Sequence, residues 1–320
     1  MTDVVSMLNA ILSSLPLGLM WAMTTVGVYV TFRVLDVADL TVDGTLGLGA
    51  AVSATLIIQG TNPFLSIAIA FTAGLLAGLC SALLHTKLKI PALLAGILTM
   101  TALYSIVLRV MDRANVSIND KETIYTLFSK IFNIPNRIEV LDGVFLSNVN
   151  VLILSALFVV IISTVLYCFF GTEIGYAIRA TGNNPQMIRA QGVNTDNTKI
   201  IGLMLSNGLV AVSGALLAQS QKFAEVTMGT GTIVIGLASV IIGEVLFGTR
   251  SFKNCLISII LGSLVYRMVI SIVLELGMNP NDLKLLTASI IALALSLPLI
   301  KNGFIKQKKL FFKKGGSDIA

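Results

Sequence analysis

Residues 44–51 read GTLGLGAA and residues 231–238 read GTIVIGLA. Both fit one pattern, Gly-Thr-apolar-x-apolar-Gly-x-Ala, 187 positions apart. Each opens a short, glycine-punctuated apolar stretch, at about 44–60 and 231–247. Around them lie apolar runs at about 11–32, 65–85, 90–112, 150–170, 199–221, 254–275 and 283–300, and a membrane span needs about 20 such residues. Shifting the starts at 11, 65 and 90 by the same offset lands close to the starts at 199, 254 and 283. Spans 1–4 and 6–9 thus read as two copies, with the 150–170 segment inserted between them, and an offset of five segments turns the second copy upside down. The fold class is an all-α, polytopic transmembrane bundle of eight or nine segments, two of them short and broken or re-entrant. It is one domain over 1–320, with repeat halves at about 11–112 and 199–300, a polar loop at 171–198 and a basic tail at 301–320.

Composition supports this reading. Of the 320 residues 55% are apolar and only 12% are charged. Soluble domains carry roughly 25% charged residues, so a soluble enzyme, a disordered chain and a nucleic-acid binder are excluded. The net charge of +6 reflects basic residues gathered at segment ends. The tail KNGFIKQKKLFFKKGG, rich in lysine, belongs in the cytoplasm by the positive-inside bias. Nine crossings then put the N-terminus outside. Arg33, Lys87, Lys89, Arg179, Arg189, Lys199, Arg250 and Lys253 fall inside with the tail lysines. Half as many basic residues fall outside: Arg109, Arg113, Lys121, Lys130, Arg137, Lys222 and Lys284. The first residues, MTDVVS, lack a basic leader region, so the first apolar stretch is expected to remain. Cys80, Cys168 and Cys255 lie in or beside apolar segments and suggest no disulfide framework. A single histidine, His85, gives no His-rich metal site.

Inverted repeats with paired broken helices suit a transporter. Two opposed copies rock about a midplane site, where interrupted helices expose backbone that lipid forbids elsewhere. Gly44, Thr45, Gly231 and Thr232 begin the short helices. As helix N-termini they favour an anionic group such as a carboxylate, while the same residue types also serve close helix packing. Asp39 and Asp43 either line a polar pathway or flank a solvated loop. Glu244 and Arg267, both in apolar surroundings, are placed to pair with each other, or Glu244 lies on the path or the axis of a dimer. Glu275 and Asp282 mark an outer rim. Trp21 and the phenylalanines of the tail suit interface anchors. In the outer excursion, 113–149, Asn119 before Asp120-Lys121-Glu122 reads as the start of a short helix running into IYTLFSKIF. The polar loop, GTEIGYAIRATGNNPQMIRAQGVNTDNT (171–198), carries its own helix signal. Asn183 or Asn184 caps the start, Pro185 fits the first turn and Gly192 ends it, which leaves Gln186, Met187, Arg189 and Ala190 facing out. No G-x-x-x-x-G-K-[ST] loop and no nucleophile–base constellation occur, so neither ATP binding nor catalysis is expected of this chain.

The run IRATGNNPQMIRAQGVNTDNTK (178–199), followed by GLMLSNGLVAVSGALLA (202–218), resembles the permease subunits of ATP-binding-cassette importers of the branched-chain amino acid and ribose type. Arg179, Ala180, Gly182, Asn184, Arg189, Ala190, Gly192 and Val193 occupy the matching stretch, and Ser213, Gly214 and Ala215 match the end of the next helix. ADLTVDGTLGLGA (38–50) is similar to the sugar-type segment of that family, and GLASVIIGEVLFG (236–248) to its glycine-rich stretch. Met187 and Ile188 stand where the family has small alanines, and Glu244 where it commonly has glycine. Within the family the chain looks closest to permeases paired with tryptophan or tyrosine binding proteins, which implies a small polar solute, an aromatic or branched-chain amino acid, with a sugar or nucleoside left open because the first short segment leans toward the sugar-type branch. The resemblance implies a coupling helix within 182–196, comprising Gly182, Asn183, Asn184, Pro185, Gln186, Met187, Ile188, Arg189, Ala190 and Gly192, seated in a groove of an ATPase subunit. It implies an ATPase dimer that carries ATP and Mg, an extracytoplasmic solute-binding protein and a second permease copy, in a bacterial cell membrane. The chain itself would bind no cofactor. The broken-helix pattern also fits an ion-coupled secondary transporter, for which Glu244 is the candidate midplane carboxylate.

Overall fold

The computed structural model describes residues 2–135, 137–141 and 144–279, and beyond them only 282, 283, 285, 287–289 and 292. The expected span at 283–300 and the tail at 301–320, with its phenylalanines, therefore lie largely outside the described residues. Eleven helices and four short strands are described. The long helices are α1 (Thr2–Tyr29), α2 (Thr41–Ile58), α3 (Pro63–Thr86), α4 (Ala92–Met111), α6 (Val149–Phe170), α9 (Thr195–Gln221) and α11 (Phe252–Glu275). Each is long and apolar enough to cross a membrane, and α10 (Thr232–Phe247) is apolar but shorter. Eight of the nine segments read from the sequence are thus helices at nearly the expected bounds. The chain is a multi-pass membrane protein.

α9 is the hub. It packs along α3, α2 and α1. Small residues allow backbones to approach where no solvent drives helices together. A Cβ on Gly49 of α2 would run into the Ala211 carbonyl of α9, and one on Gly214 of α9 would run into the Leu46 carbonyl of α2. α1 continues into a π-helical turn, Val30–Val34. The chain then leaves helical structure through residues 36–39 before α2 begins. A π-turn of this kind often marks a functional position.

Between the long helices, β1 (Asn115–Ser117) pairs antiparallel with β4 (Phe223–Glu225), and β2 (Arg137–Leu141) with β3 (Val144–Ser147). Between them lies α5 (Ile124–Phe132). Its cap is Thr123, not the Asn119 region the sequence suggested. Thr123 and Thr126 form a reciprocal capping box, because Thr123 already holds the extended backbone that an N-cap needs. Trp21 is buried, 8% exposed, rather than an interface anchor. It lies in the core shared by α1, α2 and α9, since α11 and α9 both pack on α1 and leave it little lipid-facing surface.

Candidate functional site

The two short segments of the repeat meet head to head. Gly231, at φ +85°, is the N-cap of α10. Its N–H donates to Asp43 Oδ2 at 2.9 Å, and the Ile233 N–H donates to Asp43 Oδ1 at 2.8 Å. The sequence assigned these glycine-threonine N-termini a preference for an anionic group. At α10 that seat is held by a carboxylate of the same chain, which complements the positive end of the helix dipole. The backbone of Gly229 lies close under the Asp43 carbonyl. Thr232 is fully buried, and its hydroxyl has no hydrogen-bond partner. Gly44 faces Leu103 and Met100 of α4, a packing contact.

One turn before Asp43, Asp39 is 2% exposed, so the reading of it as a solvated loop flank is overturned. Its Oδ2 accepts from Asn207 Nδ2 at 2.7 Å and its Oδ1 from the Thr41 N–H at 2.9 Å. Ser81 of α3 approaches the same oxygen at 3.5 Å. Asn207 in turn accepts from Thr45 Oγ1 at 2.7 Å and donates to the Leu203 carbonyl at 3.0 Å. Asp39, Thr45 and Asn207 therefore form one satisfied polar knot among α2, α3 and α9. A buried carboxylate without such donors would be strongly unfavourable. Asn207 was missed in the sequence, where it reads as one polar residue in an apolar helix.

Glu244 lies at the far end of α10 and pairs with Arg33 in the π-turn, not with Arg267. Arg33 Nε donates to both carboxylate oxygens, at 2.9 and 3.2 Å, and its terminal nitrogen closes a second contact. Arg267 instead stacks on Trp21, its guanidinium carbon 5.1 Å from the ring centroid. The two expected partners both lie toward the C-terminal ends of their helices, which run in opposite directions. Residue 244 is close to the C-terminus of α10, and residue 267 lies well up α11, which antiparallel packing holds apart.

Arg33 lines a cleft of about 750 Å³, together with Tyr29, Asp36, Arg179, Arg250 and Phe252 among others. Arg179 belongs to α7 (Glu173–Asn183) and lies 4.9 Å over the Phe252 ring. Gly182 and Asn183 end this helix rather than opening the next one. A Cβ on Gly182 would collide with the Val34 carbonyl, so α7 is seated directly on the π-turn.

α8 (Pro185–Ala190) follows at once. Asn184 is its cap, and the side chain accepts from the Met187 N–H at 3.1 Å. Pro185 occupies the first turn, and Gly192 leaves at φ +86°, as the sequence predicted. Ile188 is buried, while Gln186, Met187, Arg189 and Ala190 are exposed. Arg189 folds back to Thr195 Oγ1 at 2.5 Å and Asp196 Oδ1 at 3.3 Å. A two-turn helix is unstable alone. This one is fixed by its cap, by Ile188 and by Arg189.

A second polar knot, not foreseen, ties α9 to the start of α5. Gln219 of α9 accepts from the Ile124 N–H at 2.9 Å and donates towards Ser53 and Ser66 at 3.0 and 3.2 Å. Beside it Tyr125 is buried against Met20 and the Leu216 carbonyl. Burial pushes its hydroxyl well above the usual phenolic pKa. Among the described residues no His, Cys, Asp and Glu cluster is placed to hold a metal ion.

Comparison with known proteins places this arrangement. The chain is 38% identical over 284 residues to the "Tyrosine transport system permease protein" of Clostridioides difficile, covering 89% of this chain and 90% of that one. It is 32% identical to an uncharacterised protein of Rickettsia prowazekii, over 90% of this chain and 98% of that one. The "Ribose import permease protein" of Haemophilus influenzae is 25% identical, over 68% of this chain and 64% of that one. Residues 10–296 match the family described as "Branched-chain amino acid transport system / permease component". A chain with this helical bundle and a match of that extent belongs to the family of branched-chain amino acid transport system permease components.

Proposed function

We propose that this permease is the membrane half of an ATP-driven importer, and that its solute is an amino acid with an aromatic or branched side chain, handed over by an extracytoplasmic binding protein. The 38% identity to a permease described as serving tyrosine transport supports an amino acid over a sugar. ATP and Mg belong to a separate ATPase dimer, and two copies of this chain form the pore. The N-terminus is outside and the tail cytoplasmic. Residues 1–320 act as one permease domain with halves at about 11–112 and 199–300.

One observation carries the mechanism: a continuous chain of contacts from α8 to the buried junction. α8 follows directly on α7, and α7 rests through Gly182 on the π-turn. Arg33 of that turn holds Glu244 of α10, and the other end of α10 is held by Asp43 of α2. In this reading Gln186, Met187 and Ala190 press into a groove of the ATPase. Closure of the ATPase pushes α7 and the π-turn, and the Arg33–Glu244 tie passes that motion to α10. Asp39, Asp43, Gly44, Thr45, Gly231 and Thr232 then lie where the two halves rearrange around the path.

The test is co-purification with the ATPase encoded beside this chain, tagging only the permease. The expected product is a complex of two permeases and two ATPases that hydrolyses ATP. Met187→Glu, on an exposed and apolar contact position, is expected to weaken assembly by about tenfold or more while leaving the isolated chain folded. A permease that never binds the ATPase, yet moves solute in vesicles on an ion gradient alone, would replace this reading with a secondary transporter.

A further inference from the structure

Two arginines share one cleft and neither is held by an acid. The cleft of about 750 Å³ beside the π-turn is lined by Arg33, Arg179 and Arg250, with Tyr29, Tyr176 and Phe252 among its other walls. Glu244 takes up Arg33. Arg179 lies over the Phe252 ring at 4.9 Å and is 5.8 Å from that of Tyr176. Its guanidinium is therefore braced by aromatic faces, which leaves its N–H fork free to bind. Arg250 is exposed in the turn between α10 and α11. Among the described residues neither Arg179 nor Arg250 makes an ion pair. Asp36 also lines the cleft and is likewise without an ion pair there. Three guanidinium groups against Asp36 and the Glu244 bound to Arg33 leave the walls net positive. A guanidinium fork matches the oxygens of a phosphate better than a point charge does.

The cleft lies where apolar helices end, at the level of a membrane surface. The π-turn closes the first span, α7 begins just past the end of α6, and residues 248–251 link α10 to α11. The Phe252 ring meets Phe170, the last residue of α6, at 5.1 Å, and Tyr29, the last residue of α1, at 6.4 Å. The ends of α1 and α6 and the start of α11 therefore share one depth. Beside the cleft the last turn of α10 exposes Val245, Leu246 and Phe247. Three successive helical positions sweep about 200°, so this chain leaves most of that helix end uncovered. Phe32 and Tyr176 add exposed rings at the cleft itself. A basic hollow at interfacial depth, flanked by bare apolar helix, has the two surfaces of a phospholipid. We infer that this cleft binds the phosphodiester headgroup of an anionic phospholipid through Arg179 and Arg250, with the acyl chains lying along the exposed end of α10. A free phosphate ester shares the anionic chemistry but makes no use of the apolar flank. The site is independent of which solute the permease carries.

The full-length permease, freed of lipid in an uncharged detergent, is titrated with phosphatidylglycerol and with phosphatidylcholine of the same acyl chains. Bound lipid is counted by native mass spectrometry. Phosphatidylglycerol is expected to be retained at least about tenfold more tightly, the scale of a charge-assisted contact. The Arg179→Gln/Arg250→Gln double variant is expected to lose that preference. Arg179→Lys/Arg250→Lys is expected to keep part of it, since lysine holds phosphate without the fork. Lys121→Gln/Lys130→Gln removes as much charge from residues that do not line the cleft and is expected to keep all of it. Thermal unfolding in detergent shows which variants fold. Where Arg179→Gln does not, the exposed Arg250→Gln carries the test alone, with an expected loss of about threefold or more. Equal retention of the two lipids, or a preference that survives the loss of the cleft arginines, overturns the proposal. Glycerophosphoglycerol, the same headgroup without acyl chains, is the soluble probe. If it displaces phosphatidylglycerol at matching concentration, the cleft belongs to free phosphate esters and the lipid assignment fails. A dimer mass that holds no lipid and is lost in the double variant would give the cleft to a second copy and overturn the proposal as well.

Discussion

The side chains that organise the centre are few, and each is valuable through its partners. Asp43 satisfies two N–H groups at the start of α10, and those donors have no intrahelical acceptors of their own. Asp43→Ala strands them in a dry environment and is expected to lower stability by about 1–3 kcal/mol, read as a drop in unfolding temperature in detergent. Asp43→Asn keeps an acceptor oxygen and is expected to lose less. Asn207→Leu should be worse than its volume suggests, because it leaves Asp39 without its closest donor and Thr45 with only the Thr41 carbonyl as acceptor. A loss of about 3 kcal/mol or more, or failure to insert, is expected for an uncompensated buried acid. A variant as stable as wild type would show that Asp39 is solvated in the membrane. The sequence exposed Asp39 and Asp43, since acids are rare in an apolar chain. It did not expose Asn207 as the counterpart of Asp39 or Arg33 as that of Glu244, because the contacts join positions 168 and 211 residues apart and no local pattern encodes such a meeting. The pairing of Glu244 with Arg267 failed for the same reason: similar apolar surroundings say nothing about depth along two antiparallel helices.

At the level of elements, length and hydropathy were enough for the spans, and cap chemistry was enough for α8. The Asn-Pro start and the Gly192 stop are local, and the helix forms between them. Gly192 sits at φ +86°, and a Cβ there would meet no atom within 4 Å, so Gly192→Ala tests backbone strain alone. It is expected to destabilise by about 1 kcal/mol and to weaken ATPase coupling without abolishing it. Gly182→Val is a different perturbation. It drives α7 off the Val34 carbonyl, so it is expected to uncouple ATP hydrolysis from solute uptake even where the complex assembles. ATPase activity that still responds normally to the binding protein in Gly182→Val would break the proposed relay at its second link. The strands escaped sequence reading. β1 and β4 are three residues each, too short for an alternation signal, and they exist because each supplies the other with a partner. Thr123 was hidden as a cap by the more familiar acidic run in front of it.

Across the whole molecule, the course of the chain from β4 to α10 decides how many times it crosses. β4 pairs with β1 beyond the C-terminal end of α4. Residues 226–231 then descend beside α2 to Asp43, and only there does α10 start. Glu244, near the end of α10, meets Arg33 below α1. Sixteen helical residues cover about 24 Å, less than the roughly 30 Å of a hydrocarbon core, and the non-helical stretch before them supplies the remainder. That stretch is tolerated because it is enclosed by α2 rather than by lipid. The second short segment together with its leader is therefore expected to make one full crossing, a point its sequence left open. Single cysteines introduced in a chain freed of Cys80, Cys168 and Cys255 can check it with a membrane-impermeant maleimide on oriented vesicles. Lys121→Cys and Lys222→Cys should label from one side, since the β1–β4 pair holds their segments together. Gln186→Cys and Arg250→Cys should label from the other, because a single crossing, α6, separates 121 from 186, and the 226–247 passage separates 222 from 250. Labelling of Arg250→Cys from the same side as Lys222→Cys would make α10 re-entrant, move the Arg33–Glu244 tie away from the proposed ATPase face, and remove the proposed route from α8 to the buried junction.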